Sequence, residues 1–189
     1  MQYLKGTNDK GIILKSNPTE GIKCFVDVVF ARGDCNESRD DSVSVFSRTG
    51  YVIFYVGCLV LWGYKMQSGI SLSTVEAEYV ALSTAMRDLI PFTDQVKELS
   101  KVFQQGELKT QMQYTLFEDN NGALDLAKTP RYHLRTKYIA IKYHHFRERV
   151  QHGLVPIHPI DTEDKIADQF TKTFQVGTFV HVRSRLSGW

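Results

Sequence analysis

The chain has 189 residues, of which 42% are hydrophobic and 23% charged, and its formal net charge at pH 7 is +2; this composition is typical of one globular domain and excludes disorder as the main state. Its three cysteines form no CxxC pair, and eleven Phe, nine Tyr and two Trp can build a core without disulfides, so we expect free thiols in a reducing compartment. The N-terminus lacks the apolar core of a signal peptide and no apolar run is long enough to span a membrane, which predicts a soluble, intracellular protein.

The first third of the chain predicts three strands. Residues 22–30, IKCFVDVVF, are typical of a buried strand, and residues 34–47 are rich in Asp, Ser, Asn and Arg, which indicates a loop. The apolar run from Tyr51 to Trp62 contains Gly57, where the chain can reverse tightly, so we interpret it as a hairpin rather than a membrane anchor. Three consecutive strands favour an antiparallel meander.

A long helix is predicted from Ser73 to about Val102. Here the hydrophobic period changes from two to between three and four residues. Ser73 and Glu76 have the spacing of a capping box, in which a hydroxyl caps the helix and a carboxylate reaches back to the preceding backbone. Glu76 shares its predicted face with Val80, Ser83 and Arg87, so we expect Glu76 to be solvated.

Strands and helices alternate in the rest of the chain. The predicted elements are a strand at 114–117, a short helix capped by Asn120, a second long helix over 136–151 ended by Gly153, a strand at 154–160 and a helix from residue 162 to about Phe174. Together with the meander, this order predicts an α/β layer fold.

Four acidic residues lie where a carboxylate could serve a site. Asp27 stands inside an apolar strand, where an ionised carboxylate needs a cation or hydrogen-bond donors to offset its desolvation. Glu78 is the one charged residue on the apolar stripe of the first long helix. Asp119 follows the strand at 114–117, and ligands of α/β sheets collect at the carboxyl ends of strands. Asp168 lies on the flank of the last predicted helix.

Each of these acids also has a structural explanation. Asp27 could bond the backbone at a strand bulge, Asp119 could be a helix cap, and Asp168 taken alone would be a surface residue. A similar choice applies to the basic segment between Lys128 and Arg149, which holds seven basic residues and one acid with interspersed Tyr and His. This segment could contact nucleic-acid phosphates, or it could be a solvated helix face.

In their order along the chain, the acids and the sequence blocks around them resemble the ribonuclease H domain of copia-type LTR retrotransposon Pol polyproteins. The blocks are YLKGTNDKGI at 3–12, which is similar to the tail of the preceding reverse transcriptase, FVDVV around Asp27, SRTGYVIF at 47–54, ISLSTVEAEYVALSTA at 70–85, EDNNGALDLAK at 118–128, HLRTKYIAIKYHHFRE at 133–148 and TEDKIADQFTK at 162–172. The ending FVHVRSRLSGW is also similar to the family's C-terminus. Any one block is weak evidence for the family, but seven blocks in the same order are a specific match, and they cover nearly the whole chain.

The resemblance implies a ribonuclease H-like fold, which is a mixed five-stranded sheet of three antiparallel strands and then parallel strands, flanked by helices. It places this domain at residues 21–175, a reverse transcriptase tail at 1–20 and a C-terminal tail at 176–189. It further implies that Asp27, Glu78, Asp119 and Asp168 are catalytic and bind two Mg²⁺ or Mn²⁺ ions.

The implied reaction is endonucleolytic hydrolysis of the RNA strand of RNA–DNA hybrids during reverse transcription, leaving a 5′ phosphate and a 3′ hydroxyl. Two ions about 4 Å apart can activate a water and stabilise the leaving oxygen. The expected partners are the hybrid and the reverse transcriptase portion of the same polyprotein. No interaction with a membrane is expected. The candidate contacts to the nucleic-acid backbone are Arg135, Lys137, Lys142, His144 and Arg147.

The sequence departs from the family at three positions. Val29 replaces a second Asp that usually follows the first by two residues, and Tyr138 and Ala140 replace a usual His and Asp. These changes leave open the alternative that the chain is a catalytically inactive remnant of a degenerate retrotransposon that still binds nucleic acid. An integrase or an exonuclease of the same superfold is a third alternative, although integrases generally use three acids and lack the SxSTxEAEY block.

Overall fold

A five-stranded mixed sheet forms the centre of the protein in the computed structural model, which describes residues 5–30, 45–102, 114–129, 139, 141–161, 165–172 and 174–189. The strands are β1 (Ile22–Val29), β2 (Arg48–Tyr55), β3 (Cys58–Met66), β4 (Tyr114–Glu118) and β5 (Ile157–Pro159). Their order is β3-β2-β1-β4-β5, with antiparallel pairing among the first three strands of the chain and parallel pairing of β4 with β1 and of β5 with β4. The predicted sheet of antiparallel and then parallel strands is confirmed.

Helices cover this sheet. They are α1 (Thr74–Val102), α2 (Asn121–Lys128), α3 (Arg147–Gln151) and α4 (Val176–Ser187), with 3-10 helices at Ile141–Tyr143 and Ile166–Phe170. Asn120 caps α2, as predicted, because its side-chain oxygen accepts from the N–H of Ala123. No helix within the described ranges is both long and apolar enough to cross a membrane.

The hairpin between β2 and β3 turns at Val56 and Gly57. Both residues have positive φ, 46° and 79°, as a two-residue turn matched to the twist of the strands requires. A β-branched residue rarely adopts this conformation. Val56 is held there because its N–H donates to Gly21 and its carbonyl accepts from the N–H of Asn17.

Helix α1 begins as its capping signal predicts, but it is buried on more than one face. The Ser73 hydroxyl accepts from the N–H of Glu76, and the Glu76 carboxylate accepts from the N–H of Leu72. Glu76 is partly exposed, whereas Val80 and Ser83, which share its predicted face, are buried. The reason is tertiary, since the sheet covers one side of α1 and the segment that contains the 3-10 helix Ile141–Tyr143 approaches another.

The predicted second long helix over 136–151 is wrong in its described part. Residues 130–138 and 140 lie outside the described residues, and from Ile141 onward the chain forms one 3-10 turn and the five-residue α3. Between them the ring of Phe146 is completely buried, 5.3 Å from the ring of Tyr79. Because the ring is packed into the core, the chain leaves the helical path at Phe146, where a single helix over 136–151 would have to continue.

Gly153 ends α3 as predicted. It has a φ of +69°, and its N–H bonds to Val150 while the N–H of Leu154 bonds to Arg149. This pair of bonds is the Schellman motif, which needs a left-handed residue and therefore favours glycine.

Two apolar clusters lie on opposite faces of the sheet. One face packs against α1 and α2, and the other packs against the 3-10 helix Ile166–Phe170 and α4. The helix predicted from residue 162 to about Phe174 is a five-residue 3-10 helix, Ile166–Phe170, in its described part. Residues 162–164 and 173 lie outside the described residues. Residues of the predicted C-terminal tail form α4, whose Val182 and Leu186 are buried on this second face.

The 3-10 helix comes unusually close to β2 at Gly50, the residue that pairs with Asp27 in the sheet. A methyl group built on Gly50 would lie 2.8 Å from Cγ2 of Thr171 and 3.0 Å from Cβ of Phe170. Glycine is therefore required at this position for space rather than for backbone freedom.

We predict that Gly50→Ala destabilises the protein by about 1–3 kcal/mol, because the added methyl group forces the 3-10 helix away from the sheet. Urea unfolding of both chains measures the change. Gly69→Ala is the matched control, since a Cβ there meets no atom within 4 Å. Equal free energies of unfolding for the two variants would show that the 3-10 helix can move at no cost.

A candidate metal centre at the carboxyl ends of two parallel strands

The parallel pairing of β1 and β4 brings two of the predicted acids to one edge of the sheet. Phe25 of β1 lies opposite Phe117 of β4, and their rings stack with centroids 5.0 Å apart. Extending this register by two residues places Asp27 opposite Asp119. Because the strands run in the same direction, their carboxyl ends open on a common edge, which is where α/β sheets bind ligands.

Glu78, on the second turn of α1, completes a triad with Asp27 and Asp119. Each of the three offers a carboxylate oxygen, and these oxygen atoms all lie within 4.8 Å of one another. Asp27 and Glu78 are buried, whereas Asp119 is partly exposed. Three of the four acids that the sequence singled out are thus brought together, from a strand, a helix and a strand end.

Asp168 lies beside this triad. It belongs to the 3-10 helix Ile166–Phe170 and is buried, so it is not the surface residue that its position alone would indicate. The Lys172 ammonium lies 2.8 Å from Oδ2 of Asp168 and 3.9 Å from Oδ1 of Asp27. This lysine therefore links the fourth acid to the triad.

Lys165 lies in the middle of the acids. Its Nζ is 2.6 Å from Oδ1 of Asp27 and 2.6 Å from Oδ1 of Asp119, and its side chain is 1% exposed. The Thr171 hydroxyl donates to the other oxygen of Asp27. The sequence required a cation or donors to offset the desolvation of Asp27, and this structure supplies both from its own side chains.

Sequence reasoning missed Lys165 and Glu118. Glu118 is completely buried, and its Oε1 accepts from the N–H of Asn120 at 3.0 Å. A signal for it was present, because β4 buries alternate residues and Glu118 falls in the same phase as Tyr114 and Leu116. No comparable periodic signal marks Lys165, which directly precedes a short 3-10 helix.

Burial and mutual repulsion shift the protonation of these acids. Burial, reinforced by the charges of Asp27 and Asp119 and opposed by Lys165, raises the pKa of Glu78 to about 8. Burial and the neighbouring Glu78 likewise hold the pKa of Glu118 well above its ordinary value. Burial alone would raise the pKa of Asp119, but the hydrogen bond from Lys165 and its charge outweigh burial and lower this pKa.

The residues of this site fit a divalent cation. Oε2 of Glu78, Oε2 of Glu118 and Oδ1 of Asp168 are buried and have no hydrogen-bond partner among the described residues. Buried carboxylate oxygens without partners are costly unless a cation or donor compensates them. A set made of carboxylate oxygens suits hard ions such as Mg²⁺ and Mn²⁺.

The five candidate contacts to a nucleic-acid backbone divide into three groups. Arg135 and Lys137 lie outside the described residues. Lys142 is exposed, with its ammonium 4.9 Å from the centre of the Tyr143 ring.

The remaining two candidates, His144 and Arg147, bond to other groups of the protein. Nδ1 of His144 lies 2.7 Å from the Tyr79 hydroxyl, and burial lowers the pKa of this imidazole. Arg147 is buried and donates to the backbone carbonyl of Thr129. His144 is half-buried and Arg147 is buried, so each already has a bonding partner within the protein.

A basic pocket lies on another side of α1. It has a volume of about 280 Å³, and its cationic lining residues are Lys65, Arg87 and Lys142. Gln67 and Thr84 add polar groups, and none of the described residues that line it is acidic. Sequence reasoning missed Lys65 and Arg87, because the three cations come from a strand, a helix and a 3-10 turn that are far apart along the chain.

Comparison with known proteins finds no matching family model. Among curated proteins, the chain is 30% identical over 186 residues to the retrovirus-related Pol polyprotein from transposon RE1 of Arabidopsis thaliana, covering 98% of this chain and 12% of that protein. It is 31% identical over 173 residues to the corresponding polyprotein from transposon TNT 1-94 of Nicotiana tabacum, covering 91% of this chain and 12% of that protein. The chain thus spans about one eighth of the length of these relatives.

A solved structure shows the same fold. The ribonuclease H1 named LC11, isolated from compost by a metagenomic approach, superposes with a TM-score of 0.53 at 21% identity and covers 80% of this chain and 92% of that one. The resemblance stated from the sequence blocks and the predicted ribonuclease H-like fold are both confirmed by these relatives and this structure.

We predict that Glu78→Gln stabilises the metal-free protein at alkaline pH. The pKa of Glu78 is 4.5 ordinarily and about 8 in the folded chain, so between these values the folded state holds a proton that the unfolded state has released, and stability falls as pH rises. Glutamine removes this dependence. In the presence of a chelator, the melting temperature of the variant should exceed that of the parent by several degrees at pH 8.5 and approach it near pH 5.

The control for this prediction is Glu98→Gln, which changes an exposed carboxylate of the same helix. Its melting temperature should differ from the parent by the same amount at every pH. A Glu78→Gln curve parallel to the parent curve would show that Glu78 is not held protonated in the folded chain.

Proposed function

Because the chain is homologous to a segment of the retrovirus-related Pol polyproteins of copia-type transposons and has the ribonuclease H fold, we propose that it is a ribonuclease that cuts the RNA strand of RNA–DNA hybrids. The reaction would be an endonucleolytic, cation-dependent hydrolysis in the course of retrotransposon reverse transcription. The observation that carries the proposal is the meeting of Asp27, Glu78 and Asp119 at the carboxyl ends of β1 and β4.

In this proposal Asp27, Glu78, Asp119 and Asp168 hold two divalent cations. When bound, such ions would lower the pKa of an attacking water and offset the charge that develops on the leaving 3′ oxygen. The protein's own contribution is to fix its four carboxylates on β1, on α1, at the end of β4 and on the 3-10 helix Ile166–Phe170 before substrate arrives. Glu78 gives up its proton when the site is loaded, because a carboxylate ligand must be ionised.

Binding of the hybrid falls to the cations of the basic pocket. Among the proposed contacts that the structure describes, Lys142 is exposed, and Lys65 and Arg87 join it in the same pocket. Lysine and arginine side chains bind phosphates without regard to sequence, which suits a nuclease that reads the form of a hybrid. Selection of RNA would further need contacts to the 2′ hydroxyl. Arg135, Lys137, His144 and Arg147 remain candidate contacts to the hybrid from the sequence.

The reverse transcriptase portion of the same polyprotein is the proposed protein partner. Residues 1–20 resemble the end of that portion, and part of this segment packs on the domain described here. The N–H of Ile13 donates to Ser187, and the indole of Trp189 donates to the carbonyl of Gly11. The segment that would connect the two portions is thus held against the end of α4.

We predict that the purified chain cuts a labelled RNA–DNA hybrid with Mg²⁺ or Mn²⁺ and that Asp119→Asn lowers the rate at least about a hundredfold, since losing a cation ligand removes several kcal/mol of transition-state stabilisation. Gel analysis of the RNA strand measures the rate, and a chelator should abolish it. Asp125→Asn, an exposed change on α2, is the matched control and should cut normally.

Two other outcomes decide between the alternatives. A folded chain that binds the hybrid and leaves it intact with either ion would support the inactive remnant, and Val29 would be the first position to restore to Asp. Cutting that persists in Asp119→Asn would place the chemistry outside the triad.

We predict that Arg87→Gln weakens binding of the hybrid about uniformly across sequences and lowers the slope of log K against log salt by about 1, because one phosphate contact is lost. Fluorescence anisotropy in a chelating buffer measures binding without cleavage. Lys101→Gln, an exposed change at the far end of the same helix, should leave affinity and slope unchanged. An unaltered salt slope in Arg87→Gln would remove the basic pocket from the hybrid-binding surface.

A further inference from the structure

The ammonium of Lys165 lies where a cation between Asp27 and Asp119 would lie. It is 2.6 Å from one oxygen of each carboxylate and 3.9 Å from Oε1 of Glu118. Two of these three acids belong to the triad that the proposed function assigns to a metal. The inner position of the site is therefore filled by a charge that the chain itself provides.

An ammonium and a divalent ion cannot both hold these oxygens. Mg²⁺ binds oxygen at about 2.0–2.1 Å in near-octahedral geometry, so it needs the lone pairs that Lys165 uses. Two cations a few ångström apart in a buried site also repel one another strongly. A metal that enters between Asp27 and Asp119 must therefore move the ammonium away.

The local structure allows this movement. The backbone of Lys165 is extended and leads directly into the 3-10 helix, where Ile166 and Ala167 are buried against the sheet. The backbone position is thus fixed by packing. The charge, however, is carried on a stem of four methylene groups with several rotatable bonds, so the ammonium can leave while the helix stays.

We propose that Lys165 is an internal counter-ion, which neutralises the acids of the metal-free protein and must be displaced before a divalent cation binds, so that it sets the metal affinity of the site. This inference rests on the proposed metal site. It gives the buried, mutually repelling carboxylates a compensating charge before an ion binds, and it makes metal binding an exchange of one cation for another.

The test is a calorimetric titration with Mn²⁺ in the absence of nucleic acid. Lys165→Gln should bind Mn²⁺ at least about tenfold more tightly than the parent, because no ammonium competes for the carboxylates. Lys23→Gln is the matched control. It removes a partly exposed lysine of β1, the strand of Asp27, which pairs with Glu20, and its affinity should equal that of the parent.

The possible results separate this inference from the proposed function. Equal or weaker Mn²⁺ binding by Lys165→Gln would overturn the role of Lys165 and leave the metal site standing. No Mn²⁺ binding by either chain would overturn the metal site and this inference together.

A second measurement uses the parent chain and does not depend on the folding of a variant. The ammonium resonance of Lys165 should be observable by NMR without metal, because its protons are buried and bonded to carboxylates. On titration with Mg²⁺ the resonance should disappear as the freed ammonium exchanges with water. Retention of the slowly exchanging signal at saturating Mg²⁺ would contradict displacement.

Discussion

The burial of mutually repelling carboxyl groups is the constraint on which this site depends. Asp27, Glu78, Glu118, Asp119 and Asp168 lie at one edge of the sheet, and most of them are withdrawn from water. Apolar packing cannot stabilise such an arrangement, since each ionised group raises the cost of ionising the next. The structure meets the constraint with two ammonium groups and by holding Glu78 and Glu118 in an environment that favours their protonated forms.

The fold holds the acids together through rigid contacts. Parallel pairing aligns the ends of β1 and β4, the capping box fixes where α1 begins, and the missing side chain of Gly50 lets the 3-10 helix lie directly on the sheet. Apolar clusters on both faces of the sheet hold these elements in place. Backbone positions are thus set by packing away from the charges, so the ionisable side chains can exchange partners while the framework remains.

The likeness to a solved ribonuclease H1 identifies the framework, whereas the choice of chemistry lies in the side chains at the strand ends. Here the same acids could serve two states, one neutralised by Lys165 and one by divalent ions. The basic pocket gives the molecule a second charged feature, in which cations from separate elements gather without an acid among the described lining residues. A negative polymer could thus be bound on one surface while the acids act at another.

Local signals in the sequence determined much of this protein. The capping box at Ser73 and the Asn120 cap rest on interactions between neighbours in the chain, and the reversal uses the positive φ that Gly57 adopts without strain, so the sequence alone predicts them. The second long helix failed because burial of Phe146 against Tyr79 overrides helical periodicity. Lys165 was equally out of reach, since it meets Asp27 from the other end of the chain and only tertiary packing brings the two together. The sequence thus determined the strands, the start of α1 and the cap of α2, and it singled out the acids of the site, whereas the tertiary structure decided which cation neutralises them, because charge pairing depends on distance in space rather than along the chain.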